Sequence, residues 1–444
     1  MTEKIYFHTL GCPKNLVDSE IMLGKLKETG FQTTRIPEEA GVVVVNTCGF
    51  IEAAREESIN GILELARLKT RGACRTLVVS GCMVQRYSGE LKQAIPEIDL
   101  LIGLEEIPEI GSILRKSIKN DLDFFSPARL HQYLHSAKDL RLTVTPGHSR
   151  YLKISEGCNN KCSFCAIPGI RGKYRSRTID SLVEETNNLL EEGAKEICVI
   201  SQDTTFYGRD IYKKNALVTL LKELSSLKKL KWLRLNYLYP GRIGANLIKE
   251  IAQNPRICKY IDIPMQHSED KLLKIMRRGI NRVKIVKLLK KIRSEIPDVA
   301  IRTAFIIGHP GETHSDFKKL KAFIGEQSFH RLGVFPYSHE ENTHSYTMMD
   351  NVNKKTKMRR IEELMILQQE LCYERNQEDI GKTMEVLIDS FDREQKLWIG
   401  RTQWDAPEID QTVLLPEDSP VVVGEFYQVK INRADFYDWY GTVQ

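Results

Sequence analysis

Several things are missing from this 444-residue sequence, and each absence removes a class of protein. No apolar run approaches the ~20 residues that a bilayer-spanning helix requires. Nothing at the start resembles a signal peptide, since Met1-Thr2-Glu3-Lys4 leads straight into a strand-like run. The expectation is a cytoplasmic protein with no membrane association. No low-complexity tract breaks the chain, so roughly three folded domains are expected from its length. No nucleophile, histidine and carboxylate stand at usable spacing for a hydrolytic triad. The turn Gly308-His309-Pro310-Gly311-Glu312-Thr313 lacks the lysine of a P-loop, which argues against a nucleotide-phosphate cradle.

What is present is organised. The formal charge is only +6, yet it is unevenly placed. From Asn376 to Gln444 there are 14 Asp and Glu against 6 Lys and Arg, a balance of −8 that leaves +14 for residues 1–375. Such asymmetry speaks of partners, or of a solvated acidic domain, rather than of fold.

The pattern is α/β. In residues 1–120 an apolar run recurs three times, at Ile5-Tyr6-Phe7, Val42 to Val45 and Leu77-Val78-Val79. Each run meets a cysteine turn and then a helical period such as Ile51 to Leu68, which predicts parallel βαβ units. Residues 121–147 read as a linker, with a short helix or hairpin of their own. Residues 148–375 give six strand candidates: Tyr151–Ser155, Ile197–Ser201, Trp232–Leu235, Tyr260–Ile263, Ala300–Ile307 and Leu332–Phe335. Helices alternate with them, and six βα units suit a partial barrel with its chemistry at the carboxyl-terminal rim. A charged helix, about Lys354 to Arg375, leads out. Residues 376–444 offer five short strands, a small closed β-barrel.

Ten cysteines in a reducing compartment read as metal ligands before bridges. Cys158, Cys162 and Cys165 follow the first barrel strand. Three thiolates hold three corners of a four-iron cubane and leave the fourth iron open, whereas structural zinc takes four protein ligands and no fourth cysteine or histidine lies nearby. Cys12, Cys48 and Cys82 each fall just beyond a predicted strand, one βα unit apart, so a parallel sheet would deliver all three to one edge. Gly11, Gly49 and Gly81 beside them would let a bulky inorganic group approach the backbone. Spacing alone leaves three buried structural thiols as the alternative. Cys74, Cys198, Cys258 and Cys372 lie before strands, inside one, or on the exit helix, and read as core or surface thiols. Two trios mean two open irons, which suggests substrate chemistry at both metals rather than electron shuttling.

At this point the sequence resembles a known family. Cys158-x3-Cys162-x2-Cys165 is similar to the signature of radical S-adenosylmethionine enzymes. With Cys12, Cys48 and Cys82 ahead and a TRAM-like barrel behind, the order resembles the methylthiotransferases. Gly11-Cys12-Pro13-Lys14-Asn15, Asn46-Thr47-Cys48-Gly49-Phe50 and Asp405-Ala406-Pro407-Glu408-Ile409-Asp410 resemble the RimO subgroup, which methylthiolates an aspartate of small-subunit ribosomal protein S-twelve. The resemblance implies two four-iron clusters and S-adenosylmethionine as cofactors, with an electron donor such as flavodoxin or ferredoxin. It implies that S-adenosylmethionine chelates the open iron at Cys158, Cys162 and Cys165 and is cleaved to a 5′-deoxyadenosyl radical. That radical takes a hydrogen from the aspartate β-carbon, and the carbon radical takes methylated sulfur from the cluster at Cys12, Cys48 and Cys82. Phe164, Gln202, Gln266 and Gly308 would touch S-adenosylmethionine, with ordinary packing or turn roles as the alternative at each. His309 stands where the family usually has an aromatic, and Glu341-Asn342-Thr343 and Asp410-Gln411 depart where glycine is commoner. The basic run Arg171 to Arg177 would neutralise a carboxylate or dock an acidic group, with a solvated helix lead-in as the alternative. His267, His309, His314 and His339 read as rim or loop residues.

The nearest rival is a transfer-RNA adenosine methylthiotransferase. A terminal barrel carrying −8 would repel polyphosphate and attract a basic ribosomal protein, so direct RNA binding by that barrel is not expected. A rival of another class is a non-enzymatic iron–sulfur protein that binds RNA or passes electrons. It would consume no S-adenosylmethionine under reduction.

Overall fold

The computed structural model describes residues 3–120, 124–125, 131–144 and 146–444. The amino-terminal part is one parallel sheet of β1 (Lys4–Thr9), β2 (Gln32–Thr33), β3 (Val42–Thr47), β4 (Thr76–Gly81), β5 (Leu100–Ile102) and β6 (Phe124–Phe125), ordered β2-β1-β3-β4-β5-β6. The three expected strands are β1, β3 and β4, side by side at its centre. The other three are two or three residues long, too short to register as an apolar period. The valine run of β3 is buried on both faces, as a central parallel strand must be. Of the expected linker 121–147, residues 121–123, 126–130 and 145 lie outside the described residues, and its Phe124–Phe125 is a strand of this sheet.

The central part carries six parallel strands. The first sheet holds β7 (Ser149–Lys153), β10 (Glu196–Ile200) and β11 (Trp232–Leu235). The second holds β12 (Tyr260–Asp262), β13 (Ala300–Ile307) and β14 (Arg331–Pro336). A parallel bridge between Leu233 and Ile257 joins the two sheets into an incomplete barrel. Two short strands that sequence did not suggest, β8 (Ser155–Glu156) and β9 (Arg175–Ser176), pair antiparallel beyond β7 and frame the second cysteine loop. Strand alternation sorts the core. Leu152, Ile197 and Val199 face the surrounding helices, whereas Tyr151, Cys198 and Ile200 pack with Val17, Ile21 and Met22 of the first helix, Pro13–Glu28. The amino-terminal domain therefore leans on the barrel through that helix. Among the described residues no helix is long and apolar enough to cross a membrane.

After the exit helix Lys354–Glu378, the chain closes a barrel from β15 (Thr383–Asp392), β16 (Leu397–Arg401), β17 (Val413–Pro416), β18 (Phe426–Ala434) and β19 (Trp439–Val443), ordered β15-β16-β17-β19-β18. It docks on the barrel's amino-terminal rim, away from the two cysteine trios. Glu196 opens β10 and meets Arg401 at 2.8 Å, and Arg331 opens β14 and meets Asp405 at 2.9 Å. Tyr260 opens β12 and donates to Asp410 at 2.8 Å. This interface uses much of the terminal charge. Asp389, Asp405, Asp410 and Glu425, four of the fourteen acids, pair with His148, Arg331, Arg302 and Lys195 of the central domain. The balance of −8 thus overstates what the barrel presents to a partner.

Candidate active site

Three neighbouring strands deliver the first trio. Cys12 occupies the cap position of helix Pro13–Glu28, Cys48 follows β3, and Cys82 opens the helix Cys82–Ala94 directly after β4. Asn15 ties the three turns together. Its Nδ2 donates to the carbonyls of Leu10 at 3.1 Å and Thr47 at 2.9 Å. Its Oδ1 accepts from Cys82 Sγ at 3.4 Å and from Arg171 Nη2 at 2.6 Å. Cys48 N donates to Ser58 Oγ at 3.0 Å. The adjacent glycines do not make room for an inorganic group, contrary to expectation. A Cβ on Gly11, whose φ is +90°, would stand 2.7 Å from Cys48 Cβ, and one on Gly49 would meet Met83 backbone at 2.7 Å. They let the three cysteine turns pack against one another.

The second trio lies in the loop beyond β8. Cys158 N donates to Gly172 O at 3.1 Å, and Cys165 N to Cys162 O at 3.3 Å. Asn160 N points at Cys158 Sγ at 3.4 Å, and Arg278 Nη1 donates to Cys162 Sγ at 3.2 Å. Phe164 meets the edge of His309 at 6.4 Å between centroids. His309 in turn lies 2.8 Å from Ser345 Oγ, and burial holds its pKa down at about 4, so it is neutral. Gln202 Nε2 donates to Glu156 Oε1 at 3.0 Å. Gln266 sits at φ +76°, a left-handed backbone that non-glycine residues rarely adopt and that often marks a site. Gly308 is at φ +77°, and the space of its missing Cβ is filled by Lys357, whose Cγ would stand 2.5 Å away. Asn342 takes φ +62°, a conformation asparagine tolerates.

Two connections bring the trios to one seam. Arg171 is 1% exposed, so the basic run is no solvated lead-in. It reaches from the central domain to Cys82 Sγ at 3.2 Å, and its other nitrogen meets Asp18 at 2.9 Å and Glu156 at 3.1 Å. Glu156 precedes Cys158 by two residues. The second connection is the stretch after β11. Tyr237, at φ +61°, lies under Lys14, whose Nζ is 3.2 Å from its ring centroid and which follows Cys12 by two residues. Two residues on, Tyr239 stacks under Arg278, 4.4 Å from its centroid, and so adjoins Cys162. Sequence reasoning missed Arg278, Tyr237 and Tyr239. None has a local signal beyond an ordinary basic or aromatic residue at a rim.

The donor chemistry fits iron–sulfur clusters. Burial pushes the Cys82 thiol up to about 12 and Cys158 to about 11, and raises Cys48 and Cys165 as well. Thiols so protected yield their protons to a strongly polarising, thiophilic group. Among the described residues no three His, Cys, Asp or Glu side chains close in tightly enough for a single ion. A cubane asks for a wider grip, because each thiolate binds a different iron. The four remaining cysteines stay apart. Cys74, Cys198, Cys258 and Cys372 are all buried in cores or on the exit helix.

Residues 4–103 match the model of uncharacterized protein family UPF0004, residues 152–324 that of the radical SAM superfamily and residues 380–443 that of the TRAM domain. The chain is 45% identical, over 98% of its length and 98% of the relative's, to a protein of Desulforamulus reducens named ribosomal protein uS12 methylthiotransferase RimO. Proteins of the same name from Acetivibrio thermocellus and Clostridium botulinum are each 43% identical, covering 100% and 99% of this chain and 99% and 98% of theirs. Among solved structures, the radical S-adenosylmethionine methyltransferase TsrM of Kitasatospora setae shares the fold, with TM-score 0.55 at 14% identity over 75% of this chain and 73% of that one.

Proposed function

The chain belongs to the RimO family of ribosomal protein uS12 methylthiotransferases, and from that premise we propose that it methylthiolates the β-carbon of an aspartate of uS12 using two four-iron clusters. Cys158, Cys162 and Cys165 would hold the cluster that takes S-adenosylmethionine, and Cys12, Cys48 and Cys82 the cluster that delivers sulfur. When bound, these groups supply the radical that opens an unactivated C–H bond, which acid–base catalysis cannot reach, and the sulfur that replaces the hydrogen. The observation that carries this reading is the seam. Arg171 touches Cys82 and the Glu156 that leads into Cys158, while Tyr237 and Tyr239, two residues apart, lie under Lys14 and Arg278.

The protein's own work is placement. Arg171 and Arg278 donate to one thiol of each trio, Asn15 fixes the three turns of the first, and Phe164, Gln202, Gln266 and Gly308 would border the S-adenosylmethionine site. A low-potential donor such as flavodoxin or ferredoxin would supply the electron, in the cytoplasm where the ribosomal substrate is made. We divide the chain at 1–120, 121–147, 148–375 and 376–444, the first and third segments carrying the trios.

Anaerobic reconstitution tests the reading. Wild type is expected to load about eight irons per chain, falling to about four when either trio is replaced by alanine. Under dithionite it should form 5′-deoxyadenosine, and purified uS12, not transfer RNA, should gain about 46 Da, a methylthio group for a hydrogen. Loading of only about four irons by wild type, or mass gain on transfer RNA, would overturn it.

A further inference from the structure

Lys14 is a buried cation with no carboxylate partner among the described residues. It follows Cys12 by two residues on the first turn of its helix and is 8% exposed. Among the described residues it makes no ion pair with Asp or Glu; its ammonium lies over the ring of Tyr237. Three neighbouring buried cations are matched by acids, whereas Arg278 is held by a thiol and a carbonyl. Lys153 pairs with Asp18 and Glu156, Arg171 with the same two, and Arg177 with Glu185. A face-on ring and a hydrogen bond to the same tyrosine leave the ammonium free to take a further, anionic partner.

Its position says where that anion belongs. Lys14 stands on the sheet edge that presents Cys12, and its ring partner belongs to the stretch of chain that also adjoins Cys162 through Tyr239 and Arg278. The ammonium is thus held on the stretch of chain that links the first trio to the second. We propose that Lys14 is a specificity-determining residue that receives the carboxylate of the substrate's acidic side chain. One oxygen pair on Lys14 would fix the side chain and turn the adjoining carbon toward the second trio, through a charge-assisted hydrogen bond that an amide of the same shape forms poorly. This rests on the methylthiotransferase reading above and adds the group that tells acid from amide. The competing account is a staple, in which Lys14 serves only to hold two domains together over Tyr237. A staple would affect acid and amide substrates alike.

The test measures binding as well as turnover. Wild type, Lys14→Met, Lys14→Gln and Lys14→Arg are reconstituted anaerobically, and iron content and melting temperature are recorded for each. Affinity is then measured without reductant for uS12 and for uS12 with its target aspartate replaced by asparagine. Wild type is expected to prefer the acid by about ten-fold or more. Lys14→Met should bring that ratio to about one, whereas Lys14→Arg retains part of it. Where the Met variant loads less iron than wild type, the Gln variant supplies the same comparison. A neutral variant that keeps the acid preference, or a wild type that loads iron and forms 5′-deoxyadenosine yet binds acid and amide alike, overturns the assignment of Lys14. A wild type that neither loads two clusters nor cleaves S-adenosylmethionine overturns the reading beneath it.

Discussion

Arginine does for these thiols what the cysteine spacing alone does not. Arg171 and Arg278 each place a guanidinium nitrogen 3.2 Å from one sulfur of one trio. Replacing Arg171 by Gln leaves Asp18 and Glu156 with Lys153 as their one remaining Lys or Arg partner among the described residues. The expected cost is about 3–5 kcal/mol, seen as a lower melting temperature and reduced iron at the first trio. Arg278→Gln removes a donor to Cys162 Sγ, which should make a cluster held there harder to reduce. A potentiometric titration followed by electron paramagnetic resonance, on protein with the first trio replaced by alanine, checks this; an unchanged or higher midpoint would contradict it. The sequence displayed the basic run from Arg171 to Arg177 but not its direction. Arg171 ends the short helix Ile167–Arg171 and is turned inward only by contacts with Asp18, Glu156 and Cys82, which no periodicity encodes.

Among the elements, the terminal barrel is held by buried charge together with an apolar patch, in which Trp232, Cys258 and Tyr260 meet Leu387, Ala406 and Phe426. Glu196 of β10 accepts from Ser149 and faces Arg234 and Arg401. Burial alone would raise its pKa, but Arg401 and Arg234 outweigh that and bring it down to about 2. A carboxylate depressed in the folded state contributes stability above its unfolded value of about 4.3, and loses it as pH falls toward 2. The contribution is on the order of 3 kcal/mol. Urea midpoints for wild type and Glu196→Gln should therefore differ most at neutral pH and converge between about pH 4.3 and 2. A constant difference would mean that Glu196 acts through packing. All five strands of this barrel were legible as short alternating runs, because alternation is a local property. Its docking face was not, since the ion pairs that make it join residues as far apart as Glu196 and Arg401.

At the scale of the molecule, the amino-terminal domain is clasped to the barrel on two sides. Arg171 closes one. On the other, buried Glu340 takes both Arg55 and Arg86, the latter at 2.7 Å, and Arg86 also donates to Gly49 O at 2.9 Å, one residue from Cys48. Glu340→Gln should loosen this side while leaving each domain folded. The expected signs are faster amide exchange in the helix Glu52–Ala66 and more 5′-deoxyadenosine formed per methylthiolated uS12, because a radical is wasted when the sulfur donor is misaligned. Exchange rates and product ratio both unchanged would show the clasp to be idle.

The sequence by itself determined the order of the three folding units, the positions of nearly all their longer strands, and the two groups of three thiols. Those depend on local periodicity and on the rule that parallel strands deliver their following loops to one edge. It also carried the family, through motifs of adjacent residues. Tertiary structure decided how the pieces face one another: the glycines that let cysteine turns touch, the arginines on the sulfurs, the acid consumed in docking the last barrel, and the ammonium of Lys14 left over Tyr237. Each of these is a contact between residues far apart in the chain. Its energy comes from removing charge and polar groups from water together, and no stretch of sequence read alone contains both partners.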